Sequence, residues 1–183
     1  MRLFLSIKLS DEIVKELSRL QYAIQSNLSS VDKLLLVRPE SIHITLKFFG
    51  EVEPLKLDSL LEALRSIKPG KFSIDTGKLN YFTAPNGRPR VVFLSFQKSP
   101  ALTALHNAVE SALAPLGFEK SDFKCHATLF RVKFLRDKYR LIEILKHVKV
   151  EPLKLEIDSI ELFQSQLTDR EPVHTMVEKF GLG

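Results

Sequence analysis

One tetrapeptide pattern, His-x-Thr-Leu, occurs twice in this 183-residue chain, as His43-Ile44-Thr45-Leu46 and as His126-Ala127-Thr128-Leu129. On a β-strand, residues two apart point to the same face, roughly 7 Å from one another, so each copy offers one imidazole and one hydroxyl together. An unperturbed imidazole titrates near pH ~6.5. Near neutrality one histidine can therefore accept a proton while a second donates one. If the two strands face each other across a cleft, that pair acts on opposite sides of a single substrate. On a phosphodiester, one histidine would activate water for in-line attack and the other would protonate the departing oxygen. The threonine hydroxyls would hold the non-bridging oxygens. Arg131, two positions beyond the second motif, adds a planar fork suited to phosphate. On an ideal strand, however, Arg131 has the opposite parity to His126 and Thr128. It joins them only if the strand bulges or ends after Leu129.

Other chemistries are less well served. Neither motif carries a carboxylate, and Glu51 and Asp122 lie nearby without a recognisable ligand spacing, so no metal and no cofactor is expected. The chain has no nucleophile-elbow or Walker-type phosphate loop. Cys125 adjoins His126 but faces the other way on a strand, which predicts a buried, inert thiol. Among the remaining histidines, His106 is expected on the surface or flank of a helix. His147 is expected at a helix end, where a cation is favourable, and His174 lies on the last strand, from which it could line the cleft. Arg88 and Arg90 flank Pro89 at a turn, either as a solvated hairpin tip or as a phosphate-contacting loop. Phe48 and Phe49 could stack a base or fill the core.

The elements that must position these residues are legible from periodicity. Residues 2–8 read as a buried strand, and Ser10 caps a helix whose apolar face is Ile13, Leu17, Leu20 and Ile24. A short strand at 34–37 ends at Pro39, and a motif strand over 42–49 is closed by Gly50. Leu57, Leu60, Leu61, Leu64 and Ile67 form a helical stripe stopped by Pro69-Gly70. Strands at 71–82 and 91–96 flank a turn at Pro85-Asn86-Gly87. Ser99-Pro100 opens a helix ending at Gly117. The second motif strand at about 125–133, a helix near 138–147, and strands near 153–164 and 173–180 complete the chain. Both halves carry a strand and a helix ahead of the motif strand and a shorter helix after it, which suggests a duplication in topology.

With 44% apolar and 27% charged residues, the composition is that of a globular protein rather than a disordered or membrane-spanning one. No stretch approaches the roughly 18 apolar residues of a membrane span. The N-terminus lacks the pattern of a secretory signal, and one cysteine gives no sign of an oxidising compartment. A cytoplasmic monomer is expected, folded as one bilobal domain over residues 1–183. A net charge of +5 and a pI near 9.3 favour polyanionic partners.

The segments 41–50 and 126–133, read as SIHITLKFFG and HATLFRVK, resemble the paired signatures of the 2H phosphoesterase superfamily. Within it the chain is similar to the LigT-like RNA 2′,3′-cyclic phosphodiesterases, and the similarity extends over the whole length. The resemblance implies an α+β, bilobal fold with two pseudo-symmetric antiparallel sheets lining a central cleft and helices outside. It implies metal-independent hydrolysis of an RNA or nucleoside 2′,3′-cyclic phosphate to a 2′-phosphate. His43 then corresponds to the acid for the leaving O3′, His126 to the base that activates water, and Thr45, Thr128 and Arg131 to phosphate contacts. Phe130 stands where the signature often has a small residue. Some members are named for joining tRNA halves through 2′-5′ linkages, so a ligase acting on tRNA is an alternative. An RNA- or nucleotide-binding module without turnover is another, and intact His and Thr at both motifs argue against it.

Overall fold

The computed structural model describes residues 1–166, 168 and 172–183. In chain order its elements are β1 (Arg2–Lys8), α1 (Asp11–Ser26), β2 (Lys33–Leu36), β3 (His43–Glu51), α2 (Leu57–Arg65), β4 (Phe72–Thr83), β5 (Pro89–Phe96), α3 (Pro100–Leu113), β6 (His126–Phe134), α4 (Lys138–His147), β7 (Lys154–Ile157), β8 (Ser159–Gln166) and β9 (Val173–Gly181). The helix starts follow from side-chain chemistry. The hydroxyls of Ser10 and Ser99 accept the amides of Ile13 and Leu102, each at 3.4 Å, and the Asp137 carboxylate accepts that of Tyr139 at 2.9 Å. Gly50 does not close the first motif strand as expected. It lies within β3 at φ 69°, a left-handed conformation that glycine adopts without a steric penalty, and pairing with β1 continues to Glu51.

The strands pair antiparallel in the order β7-β4-β5-β6-β3-β1-β8-β9, with β2 added to β6. This order is a palindrome around the two motif strands. One lobe is built on β3-β1-β8-β9 and the other on β6-β5-β4-β7, and helix packs on the sheet side opposite the motif histidines. The two lobes meet at a single ladder pair, Ile44 with Ala127. Beyond that pair, β3 leaves the edge of β6 and β2 takes its place, with Leu34 to Leu36 opposite Val132 to Phe130. A cleft opens where the two strands part. The stretch 153–164 divides at Asp158 into β7, paired with β4 in one lobe, and β8, paired with β1 in the other. Its apolar alternation carries the mark of that break: Leu155 and Ile157 are buried, then Ile160 and Leu162, which have the opposite parity. No helix among the described residues is long and apolar enough to cross a membrane.

Leu3, Leu5 and Ile7 of β1, together with Ile13, Leu17, Leu20 and Ile24 of α1, belong to one continuous hydrophobic core. Inside it lies one ionic network. Lys47, 3% exposed, donates from Nζ to both carboxylate oxygens of Glu110 at 2.9 Å and to the Glu119 carbonyl. Ser121 Oγ donates to the same carboxylate at 3.0 Å. The network ties β3 to α3 and to the segment that leads into β6. His106, expected on the surface or flank of its helix, lies partly buried beside it, stacked on Phe123 with ring centroids 4.9 Å apart and its Nε2 3.4 Å from Glu110. Burial alone would raise the Glu110 pKa, but hydrogen bonds from Lys47 and Ser121 and the charge of Lys47 outweigh it and hold the carboxyl below its ordinary value.

Removing one member of such a pair leaves an uncompensated buried charge. Lys47→Ala is expected to lower the unfolding free energy by about 3–5 kcal/mol in urea titrations, and the apolar double variant Lys47→Met/Glu110→Leu to recover most of the loss.

Candidate active site

Both motif strands carry the same irregularity at the same residue. Opposite β5, Phe93 pairs with Thr128 and Val92 with Phe130, so Leu129 has no partner. Opposite β1, Ser6 pairs with Thr45 and Leu5 with Lys47, so Leu46 has none. These are β-bulges, each inserting one residue and shifting the alternation of side chains by one. Two successive residues are consequently buried in each strand, Leu46 with Lys47 and Leu129 with Phe130. The next residue, Phe48 or Arg131, emerges on the face of the histidine and threonine. The bulge at Leu129 thus resolves the parity conflict: Arg131 lines the same cavity as His126 and Thr128.

That cavity, of about 150 Å³, is lined by His43, Thr45, His126, Thr128 and Arg131 together with residues of β2 and the segment after it. All five side chains singled out in the sequence therefore come together. The Ile44–Ala127 pair sets their arrangement, because in that antiparallel register His43 lies across from Thr128 and Thr45 across from His126. Each imidazole faces the other motif's hydroxyl. The histidines are held alike. His43 Nδ1 lies 2.8 Å from the Ser41 carbonyl and His126 Nδ1 2.6 Å from the Lys124 carbonyl, each two residues upstream. A carbonyl only accepts, so Nδ1 carries the hydrogen in both rings and Nε2 is the nitrogen left for chemistry.

Rings pack around both imidazoles. Phe4 stacks on His43 at 4.8 Å, and His174 meets His43 edge-on at 5.7 Å. On the other side Phe82 and Phe93 meet His126 at 5.0 and 5.1 Å. Burial lowers the His43 pKa to about 4, partly opposed by the Ser41 carbonyl and reinforced by the positive charge of His174, His126 and Arg131. Burial also lowers that of His126, against the Lys124 carbonyl. Cys125 is partly buried, with its thiol pushed up to about 12 by burial, as suits an inert group.

The remaining candidates fall outside the five-residue cluster, with one exception. His174 lines the cavity. Arg88 and Arg90 are exposed on the β4–β5 hairpin and line none of the cavities at the histidines. Phe48 is half-exposed beneath the Arg2 guanidinium, 4.9 Å from its ring centre, and Phe49 packs on Phe118 at 5.2 Å. His147 is exposed at the end of α4 with Nδ1 2.8 Å from the Glu143 carbonyl. Among the described residues no group of three or more His, Cys, Asp or Glu is arranged to hold a metal ion.

The LigT-like phosphoesterase family model matches this chain twice in tandem, over residues 7–93 and 94–174. The chain belongs to that family. Among its LigT-like relatives, the RNA 2′,3′-cyclic phosphodiesterase of Archaeoglobus fulgidus is 34% identical over 98% of this chain and 99% of its own. That of Methanocaldococcus jannaschii is 32% identical over 98% of this chain and 100% of its own. A solved structure from Thermus thermophilus superposes with a TM-score of 0.81 at 26% identity, covering 100% of this chain and 98% of the other. Escherichia coli LigT complexed with 3′-AMP shares the fold, with a TM-score of 0.75 at 22% identity over 99% and 97% of the two chains. The tandem match divides the chain within β5, one motif to each part.

One positioning residue of this LigT-like site was missed in the sequence. Gln21 of α1, 2% exposed, donates its amide hydrogens to the Leu129 carbonyl at 3.0 Å and the Val37 carbonyl at 2.8 Å, while Val37 N–H donates to the same Leu129 carbonyl at 2.9 Å. The bulge that aims Arg131 is therefore pinned from α1 and from the residue after β2. Its signal was a polar residue four positions after Leu17 on the apolar face of a helix.

The depressed His43 pKa has a consequence for stability. Between pH 6.5 and about 4 the unfolded chain protonates this ring and the folded one does not, so stability falls as pH drops through that window. The full effect is roughly 3 kcal/mol. His43→Asn, which does not titrate there, is expected to lose less stability than the parent chain between neutral pH and pH ~4, by that difference, in urea titrations at the two pH values.

Proposed function

We propose that this LigT-like phosphoesterase hydrolyses a 2′,3′-cyclic phosphate at the end of an RNA or nucleoside to a 2′-phosphate, using two histidines and no metal. The observation that carries the reading is the cavity in which both imidazoles, each with its proton fixed on Nδ1, meet two hydroxyls and a guanidinium. The relatives named RNA 2′,3′-cyclic phosphodiesterase support the substrate class.

In the reaction, His126 Nε2 takes a proton from water as the oxygen attacks phosphorus in line. The bond from phosphorus to O3′ breaks on the opposite side, and protonated His43 delivers a proton from Nε2 to O3′. His126 ends protonated and His43 neutral, and exchange with solvent restores the pair. Thr45, Thr128 and Arg131 donate to the non-bridging oxygens, where charge builds as the fifth ligand enters. Burial keeps His43 neutral at pH 7, with its pKa lowered to about 4. A bound phosphate anion between the lobes favours the imidazolium and loads the acid as substrate enters.

Hydrolysis of a 2′,3′-cyclic nucleotide is expected in excess chelator, with the 2′-phosphate as product by phosphorus NMR. His43→Ala and His126→Ala are each expected to lower turnover by at least ~10²-fold. Near-full activity in either variant, or a 3′-phosphate product, would contradict the assignment. Arg131→Ala removes a charge-assisted contact and is expected to lower kcat/KM by roughly 10- to 100-fold in steady-state assays.

A further inference from the structure

A second recess of about 280 Å³ opens from the catalytic cavity beside His43. It shares Ser41, Ile42, His43 and His174 with that cavity but includes none of His126, Thr128 and Arg131. Its place in the reaction follows from stereochemistry. Attacking water and leaving O3′ stand on opposite sides of phosphorus, and O3′ carries the ribose and base with it. The nucleoside therefore lies on the side of the acid, which is the side of this recess.

The recess offers a base both a platform and an edge. Phe4, stacked on His43, also stacks on Phe163 at 5.5 Å with planes 14° apart, and Met176 pairs with Phe163 across β8 and β9. Glu161 stands one row along, opposite Ser6 on β1 and on the same face as Phe4 and Phe163. It is 6% exposed, it lines the recess, and among the described residues no hydrogen bond or ion pair reaches its carboxylate. His174 Nδ1, at the mouth, is a buried polar atom without a partner. Buried polar groups are ordinarily satisfied, and an unpartnered carboxylate is costly; a ligand with matching donors removes that cost. Glu161 lies two strand spacings, about 10 Å, from Thr45, a span comparable to that from the phosphorus of a nucleotide to the far edge of its base.

Resting on the reaction proposed above, we propose that this recess holds the base of the nucleotide bearing the cyclic phosphate and that Glu161 makes it selective for guanine. Guanine alone among the four bases carries two adjacent donors, N1–H and N2–H, that fit the two oxygens of a carboxylate as a fork. Adenine and cytosine set one amino group beside an acceptor nitrogen, and uracil sets one N–H between two carbonyls. Each of these brings an acceptor against the carboxylate and leaves one of its oxygens unpaired.

The test measures kcat/KM for the four 2′,3′-cyclic mononucleotides and, by calorimetry, binding of the four nucleoside 2′-monophosphates. Guanosine is expected to exceed uridine by at least ~10-fold in both. Glu161→Gln, with folding checked by thermal unfolding, is expected to bring the ratio within about threefold. If that variant does not fold, Glu161→Asp withdraws the same two oxygens by one methylene and is expected to reduce the ratio as well. Equal values for the four bases in the parent chain, or a ratio unchanged in the variants, would overturn the proposal. The two readings fail separately. Turnover of all four substrates alike removes the base selection and leaves the reaction, whereas selective binding of guanosine 2′-phosphate without turnover removes the reaction and leaves the base site.

Discussion

The architecture depends on a matching β-bulge in each motif strand, at Leu46 and at Leu129. A strand alternates, and a regular strand starting at His126 would send Arg131 into the core and Phe130 into the cleft. The bulge at Leu129 reverses both, burying Phe130 completely and delivering the guanidinium to the cavity. Its twin at Leu46 buries Lys47 against Glu110 and turns Phe48 outward. The two strands begin with the same sequence of cavity-facing and buried positions although they share only three residue types. What the halves have in common is a backbone path.

The twofold arrangement explains why the chemistry is paired and where it is not. Up to the bulge the halves agree, which gives two imidazoles and two hydroxyls in crosswise order around the Ile44–Ala127 pair. After it they diverge, with an arginine in one lobe and a phenylalanine in the other. The surroundings diverge as well: β2 lies along β6 near Arg131, while the face of β1, β8 and β9 beside His43 carries aromatic rings and one carboxylate. A symmetric site has no reason to prefer one histidine as the acid. On the proposed reading the unequal flanks supply that reason, because the recess beside His43 takes the nucleoside.

The fold class, the helices, the serine caps of α1 and α3 and the five-residue cluster were legible in the sequence, because each leaves a local trace such as a period, a capping serine or a repeated motif. The parity rule even located the point at which the second motif strand had to depart from regularity. What was illegible depends on contacts distant in sequence. His106 was expected at the surface or flank of its helix, and helical periodicity says nothing about the phenylalanine 17 positions on that covers it. The division of residues 153–164 between two lobes is decided by which edges are open, although the change of parity at Asp158 marks it. Gln21 and the β2 wall act through carbonyls at Val37 and Leu129 that no side-chain pattern reports.

The carbonyl groups of Ser41 and Lys124 carry a further implication. Many catalytic histidines are oriented by the side chain of a third residue, which makes the device vulnerable to a single substitution. Here the orienting atom belongs to the peptide chain itself, two residues upstream in both lobes. No codon specifies it, and no exchange of side chain at position 41 or 124 removes it. A chain that repeats this turn into a strand repeats the tautomer with it, so each half holds a correctly set imidazole whichever proton-transfer role it takes.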